Sequence, residues 1–362
     1  MGLMNRSDLE NDTYTFFGPI DIAIYGDENN YDESFTFKIT VSVVLCIFMV
    51  LSIIGNVCTL AVIARDKSMR TPTNCYLCNL AITDLMMAFY VPTEVYFFWV
   101  PDFYPFGEVG CRIHFILWDC VSNCSVLTIV AFTVERYLVV SRPFLRQRLT
   151  IKSRVYKIIA VIWIVCCVLC IPDIFYIDLL ERKKYVYCYY TVSDLMRIFI
   201  VVDIFVFFVV PMSIILVLYV LIALKLKATQ RKLRCSPVYG KQERDKAVKM
   251  LAAVAGLFFV GWAPYCGYRI MVITPKYKYD DYYNVSMAWR VLYYMCAINV
   301  YLSTAGNPIL YSLMSRRFRT AFKDFLKGRN SSLHRGQTQT SLHSTMNSTY
   351  YNRTNTTVGN KN

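Results

Sequence analysis

Several charged side chains stand inside, or at the ends of, long apolar runs, where the chemistry open to them is ionic. In "FTVERYLVVSRPF" (132–144) the pair Glu135-Arg136 interrupts an apolar run that resumes and then meets Pro143. "LAITD" (80–84) brings Asp84 into another run, and Glu94, Asp119 and Arg269 sit in further ones. At the end of a soluble helix such a pair is a solvated terminus. Inside a bilayer each charge costs roughly 3 kcal/mol or more, so it is kept for pairing, for an ion pathway or for a ligand. Asp84 and Asp119 would suit an ion channel or transporter; Glu94, Asp119 and Arg269 would suit a charged ligand.

The elements that carry these residues decide between the settings. The chain has 362 residues, 56% hydrophobic and 18% charged, against roughly 25% charged in soluble domains. Apolar windows recur at 37–64, 75–100, 113–140, 155–177, 196–224, 247–273 and 287–314. Each is longer than the roughly 20 residues a helix needs to cross the hydrocarbon core. The expected fold is an all-α membrane protein. A seven-transmembrane helix bundle with a short amphipathic eighth helix occupies 37–326, between an N-terminal tail (1–36) and a disordered, Ser/Thr/Asn-rich tail (327–362). In "SRRFRTAFKDFL" (315–326) Phe318, Phe322 and Phe325 alternate with basic residues, as on a helix lying in the membrane interface.

Basic residues fix the orientation. Arg65, Lys67 and Arg70 follow span one, and Arg142, Arg146 and Arg148 follow span three. Lys225 to Lys249 is basic between spans five and six, and Arg316, Arg317 and Arg319 follow span seven. These segments share one side, which the positive-inside rule places in the cytoplasm. The net charge of +14 is thereby topology, and no nucleic-acid partner is expected. The tail 1–36 is acidic and lacks a signal-peptide profile, so the first span is expected to direct insertion, with the N-terminus extracellular at the cell membrane. Asn5, Asn11 and Asn284 are then candidate glycosylation sites. Cys111 and Cys188 both fall on the oxidising face, where a disulfide would persist.

The polar intrusions, one set per span, carry a resemblance. Asn56, Asp84, "ERY" (135–137), Trp163, Pro211, "WAP" (262–264) and "NPILY" (307–311) together resemble the rhodopsin-like (class A) G-protein-coupled receptors over about residues 38–326. One departure is Gly261, where the family usually has Cys. An opsin would carry Lys at Tyr301 and an amine receptor Asp at Trp118. "VPTEVYFFWV" (91–100), "YPFGEVGC" (104–111), "SVLTIVAFTVERY" (125–137) and "NPILYSLMSRRFR" (307–319) are similar to the neuromedin U, pyrokinin/CAPA and ghrelin branch of peptide receptors.

The resemblance implies a receptor without cofactor or enzymatic activity. Its expected partners are a peptide with Arg near an amidated C-terminus, a Gq-type G protein and, through the tail, receptor kinases and arrestin. Relatives in the branch carry an acid, an acid and an Arg at the places of Glu94, Asp119 and Arg269. An Asp119–Arg269 bridge with no ligand role is the structural alternative. Tyr185, Tyr187, Tyr189 and Tyr190 would supply an aromatic wall to such a site. Matching family positions make Asp84, Ser125, Thr304 and Asn307 a sodium cluster, and Val126, Pro211 and Phe258 a packing triad beneath Trp262. Pro308 belongs to the span-seven motif, and Tyr219 and Tyr311 to the tyrosines that meet near Arg136. Glu135, Arg136, Tyr137 and Phe144 are the expected G-protein contacts. Arg244 replaces the acid with which many members restrain Arg136, so basal signalling is expected.

Overall fold

The computed structural model describes residues 34–101, 103–141, 152–182, 185–191, 193–232, 239–273, 282–314 and 316–327. Among these the apolar windows become seven helical rods. Span one is α1 (Phe35–Arg65), started by Ser34, whose hydroxyl accepts from the Phe37 N–H at 3.3 Å. Span two is two helices, α2 (Pro72–Ala88) and α3 (Val91–Trp99). Pro92 has no N–H and its ring collides with the Ala88 carbonyl, so one helix ends there and another begins. Span three is α4 (Gly107–Ser141), opened by Gly107 in the left-handed region at φ 65°. Span four is α5 (Lys152–Leu169).

Span five is also broken, into α6 (Asp194–Ile204), one wide π turn (Phe205–Val209) and α7 (Val210–Lys232). Pro211 cannot donate to the preceding turn, and the wide turn absorbs that loss. Spans six and seven are α8 (Tyr239–Ile273) and α9 (Tyr282–Met314), each with an internal proline, Pro264 and Pro308. Spans one to five are long and apolar enough over their described residues to cross a bilayer. The last two, at 35 and 33 residues, have ample length as well.

Burial differs between rods. In spans two and three 61% of the apolar window is buried, but only 17% in span four and 22% in spans one and five. The outward faces, with Val43, Ile54, Ile164, Val168, Leu216 and Val217 exposed, are what lipid would cover.

Polar side chains tie the rods from within. Trp163 Nε1 donates to Asn79 Oδ1 at 3.0 Å, and Asn79 Nδ2 donates to Thr128 Oγ1 at 2.8 Å, joining spans four, two and three. Small residues allow close approach: a Cβ on Gly55 would fall 2.8 Å from Pro308, and one on Gly261 would fall 2.9 Å from the Ser303 Cβ. Such contacts drive helix association where lipid supplies no hydrophobic difference.

Between spans four and five the chain forms a hairpin, β1 (Ile177–Arg182) and β2 (Tyr185–Tyr190), with Leu179 opposite Cys188. This hairpin, with an isolated parallel bridge from Phe103 to Val186, is the departure from an all-α chain among the described residues. A Cys111–Cys188 disulfide fastens β2 to the start of span three. Arg112 Nε donates to the Ile177 carbonyl at 3.1 Å and fastens β1 beside it. After span seven, α10 (Arg316–Leu326) buries Phe318 and Ala321 against Val62 and Met69.

Candidate functional site

The broken second span turns Glu94 inward, and the structure brings Glu94, Asp119 and Arg269 to one cavity of about 110 Å³ under the hairpin. Its walls are aromatic: Phe97, Tyr104, Trp118, Tyr265, Tyr268 and Tyr293 all line it. The volume is well below the roughly 300–1,000 Å³ of pockets that enclose a drug-sized ligand. It suits one side chain of a larger ligand.

Glu94 and Arg269 are both held in place. Glu94 accepts from Tyr293 Oη at 3.0 Å and from Tyr301 Oη at 3.5 Å. Arg269 lies over the Tyr265 ring, 5.8 Å from its centroid. Its ion-pair partner is Asp203 on span five, whose other oxygen accepts from Asn123 Nδ2 at 3.4 Å. The structural alternative of an Asp119–Arg269 bridge thus gains a second acid, Asp203, as a partner of Arg269. Asp203 stands on α6, just before the π turn, and grips the guanidinium from outside the residues that line the cavity.

Other expectations also shift. Of the hairpin residues with described side chains only Cys188 lines the cavity, while Tyr187 and Tyr189 are buried elsewhere; the side chains of Tyr185 and Tyr190 lie outside the described residues. Successive strand residues face opposite ways, so the disulfide that aims Cys188 inward aims its neighbours outward. His114, which the sequence places at a span edge, stands in the cavity wall, its ring 5.1 Å from Tyr90 and 6.0 Å from Phe97.

Beneath the cavity an aromatic stack leads inward. Trp118 and Tyr265 both line the cavity and lie 5.7 and 5.8 Å from Trp262, which does not. Trp262 in turn stacks on Phe258, centroids 5.6 Å apart. Val126, Phe258 and Trp262 share one buried cluster, and Pro211 is buried next to Met212 at its edge. Gly261 explains itself here: a Cys side chain would press on Ser303 and push span six from span seven.

Further in, Asp84 is buried and accepts from Asn307 Nδ2 at 2.9 Å. The Ser125 hydroxyl donates to the Val121 carbonyl at 3.1 Å and that of Thr304 to the Tyr301 carbonyl at 2.9 Å. Carboxylate and hydroxyl oxygens are the donor types that a hard cation takes. Asp84 does not line the cavity that Asp119 lines, which weighs against a shared ion pathway.

Toward the C-terminal end of span three Glu135 pairs with Arg154 of span four at 2.7 Å, and Arg136 lies over the Phe132 ring at 5.4 Å. Tyr137 and Tyr219 are half-buried. Phe144, Asn5 and Asn11 lie outside the described residues, as do the side chains of Tyr311, Arg244 and Asn284.

Residues 55–311 match the model of the seven-transmembrane receptors of the rhodopsin family. The chain is 32% identical over 348 residues to the pyrokinin-1 receptor of Drosophila melanogaster, covering 80% of each. It is 33% identical to the thyrotropin-releasing hormone receptor of Gallus gallus, covering 82% of this chain and 83% of that one. With neuromedin-U receptor 2 of Homo sapiens it shares 32% identity, over 80% of this chain and 72% of that one.

Proposed function

The chain belongs to the rhodopsin family of seven-transmembrane receptors, and we propose that it is a cell-surface receptor for a peptide bearing Arg near an amidated C-terminus. The observation that carries this reading is the cavity, where two carboxylates, Glu94 and Asp119, and one guanidinium, Arg269, share an aromatic enclosure. A peptide guanidinium would pair with the two acids. The amide carbonyl at the peptide's end would accept from Arg269, held ready by Asp203. Relatives whose names specify pyrokinin, neuromedin U and thyrotropin-releasing hormone support a neuropeptide ligand.

Signal transfer would follow the ring stack. A ligand that moves Trp118 or Tyr265 moves Trp262 and, through it, Phe258. It biases the receptor only in so far as it binds the signalling arrangement more tightly than the resting one. Asp84, Ser125, Thr304 and Asn307 would hold a sodium ion that favours one arrangement. Opening of the cytoplasmic end would offer Arg136, Tyr137 and Phe144 to a Gq-type G protein. The tail would then serve receptor kinases and arrestin, with α10 lying along the lipid surface.

The test is calcium release in cells expressing the full chain and exposed to a library of amidated peptides. A response confined to Arg-containing members supports the reading. A whole-cell current on expression, with no response to any peptide, sinks it.

A further inference from the structure

Glu135 and Arg136 are neighbours in sequence, yet their side chains have different partners. Glu135 is buried, and its carboxylate accepts from Arg154 of span four at 2.7 Å. Tyr76 of span two, also buried, lies near the same carboxylate. Arg136 rests on the face of Phe132, one turn back on its own helix, and among the described residues it forms no ion pair. Adjacent helical residues diverge by about 100°. Glu135 must therefore either fold back toward Arg136 or reach across to span four, and it reaches across.

We propose that Arg154 is a positioning residue for G-protein activation: by holding Glu135 it keeps that carboxylate off Arg136 and lowers the barrier to signalling without ligand. A buried carboxylate stripped of its partner is costly and takes the nearest cation. Without Arg154 that cation is Arg136, whose guanidinium would then be restrained. The same charge that stabilises span three against span four thus releases the residue that meets the G protein. The proposal rests on the chain being a G-protein-coupled receptor.

The experiment measures guanine-nucleotide exchange on a panel of purified heterotrimers, with no peptide added. The membranes carry the full chain at surface densities matched through an N-terminal epitope. Wild type is expected to exceed membranes lacking the chain, and Arg154→Gln to fall by roughly fivefold. Arg154→Lys, which keeps the charge, should lie near wild type. In a Glu135→Gln background, Arg154→Gln should change nothing further, whereas a merely structural role would lower surface density and add to the first substitution. Arg154→Met replaces the Gln variant if the latter fails to reach the surface. Wild-type exchange at background, or an Arg154→Gln rate equal to or above wild type, overturns the proposal. Adding amidated peptides to the same membranes separates the two readings. A peptide response with no Arg154 effect sinks this proposal alone, and the expected Arg154 pattern with no peptide response sinks the ligand reading alone.

Discussion

Arg269 of span six gives its guanidinium to Asp203 of span five, while Asp119 occupies the span-three side of the same cavity. Two acids on different helices thus flank one buried cation. Asp203, which is not among the residues that line the cavity, forms an ion pair with it. Arg269 is 7% exposed in its side chain and Asp203 26%, so the pair is only partly screened by solvent.

If Asp203 keeps Arg269 from crossing the cavity, Asp203→Asn lets the guanidinium turn to Asp119 and compete with the peptide for it. The half-maximal concentration of an Arg-containing amidated peptide should rise at least about tenfold, a 1.4 kcal/mol effect. Asp203→Asn/Arg269→Gln should recover much of that loss. Dose–response curves at equal surface expression decide it, and an unchanged Asp203→Asn curve counts against the competition.

Gly261 lets span six press on span seven. Gly261→Cys, the residue usual in the family, places a Cβ 2.9 Å from the Ser303 Cβ. Overpacking of this kind costs about 1–3 kcal/mol. Purified Gly261→Cys should melt several degrees below wild type, and Ser303→Gly should restore part of the difference. A melting temperature at or above wild type would show that the two helices yield freely.

The bundle was legible because each crossing announces itself as an apolar window, and the intruding Asp84, Glu94, Asp119 and Arg269 marked residues that had to face inward. Partner choice was not legible. Asp203 was visible as the lone acid in "MRIFIVVDIFVFFVV", with the same signal as Asp119. That it meets Arg269 depends on the rotation of span five, set by the π turn before Pro211. Glu135 likewise had Arg136 as its obvious partner, and only the packing of span four brings Arg154 to 2.7 Å. Tyr293 and Tyr301 stand eight residues apart on α9 and so share a face, a spacing that could have flagged both. The hairpin escaped notice because its short strands, "IDLLER" and "YVYCYY", lie among much longer helical windows.

The Cys111–Cys188 bond holds the hairpin over the cavity, where Cys188 forms part of the wall. Cys111→Ser and Cys188→Ser should each reduce surface expression and peptide response, and the double variant should be no worse than either. Thiol labelling after denaturation without reductant checks the bond itself. Both cysteines found free in the surface-expressed protein would contradict it.

The acids carry the sharpest expectation. Glu94 is fixed by Tyr293 and Tyr301, and Asp119 lines the same narrow, largely aromatic space. A guanidinium placed between them would be desolvated, so removal of one partner strands the other at a cost of roughly 2–5 kcal/mol. Asp119→Ala should therefore raise the half-maximal peptide concentration by about 30-fold or more, each 1.4 kcal/mol being tenfold. Glu94→Ala should do the same, and Tyr293→Phe should cost less, because it removes one orienting hydrogen bond and leaves the charge. The control is a peptide with its Arg replaced by Ala, tested on wild type and on Asp119→Ala at equal surface expression. If the acid reads the guanidinium, the analogue is weak on wild type and loses little more on the variant. An analogue that loses as much potency as the parent peptide would mean that Asp119 shapes the cavity without touching the ligand's charge.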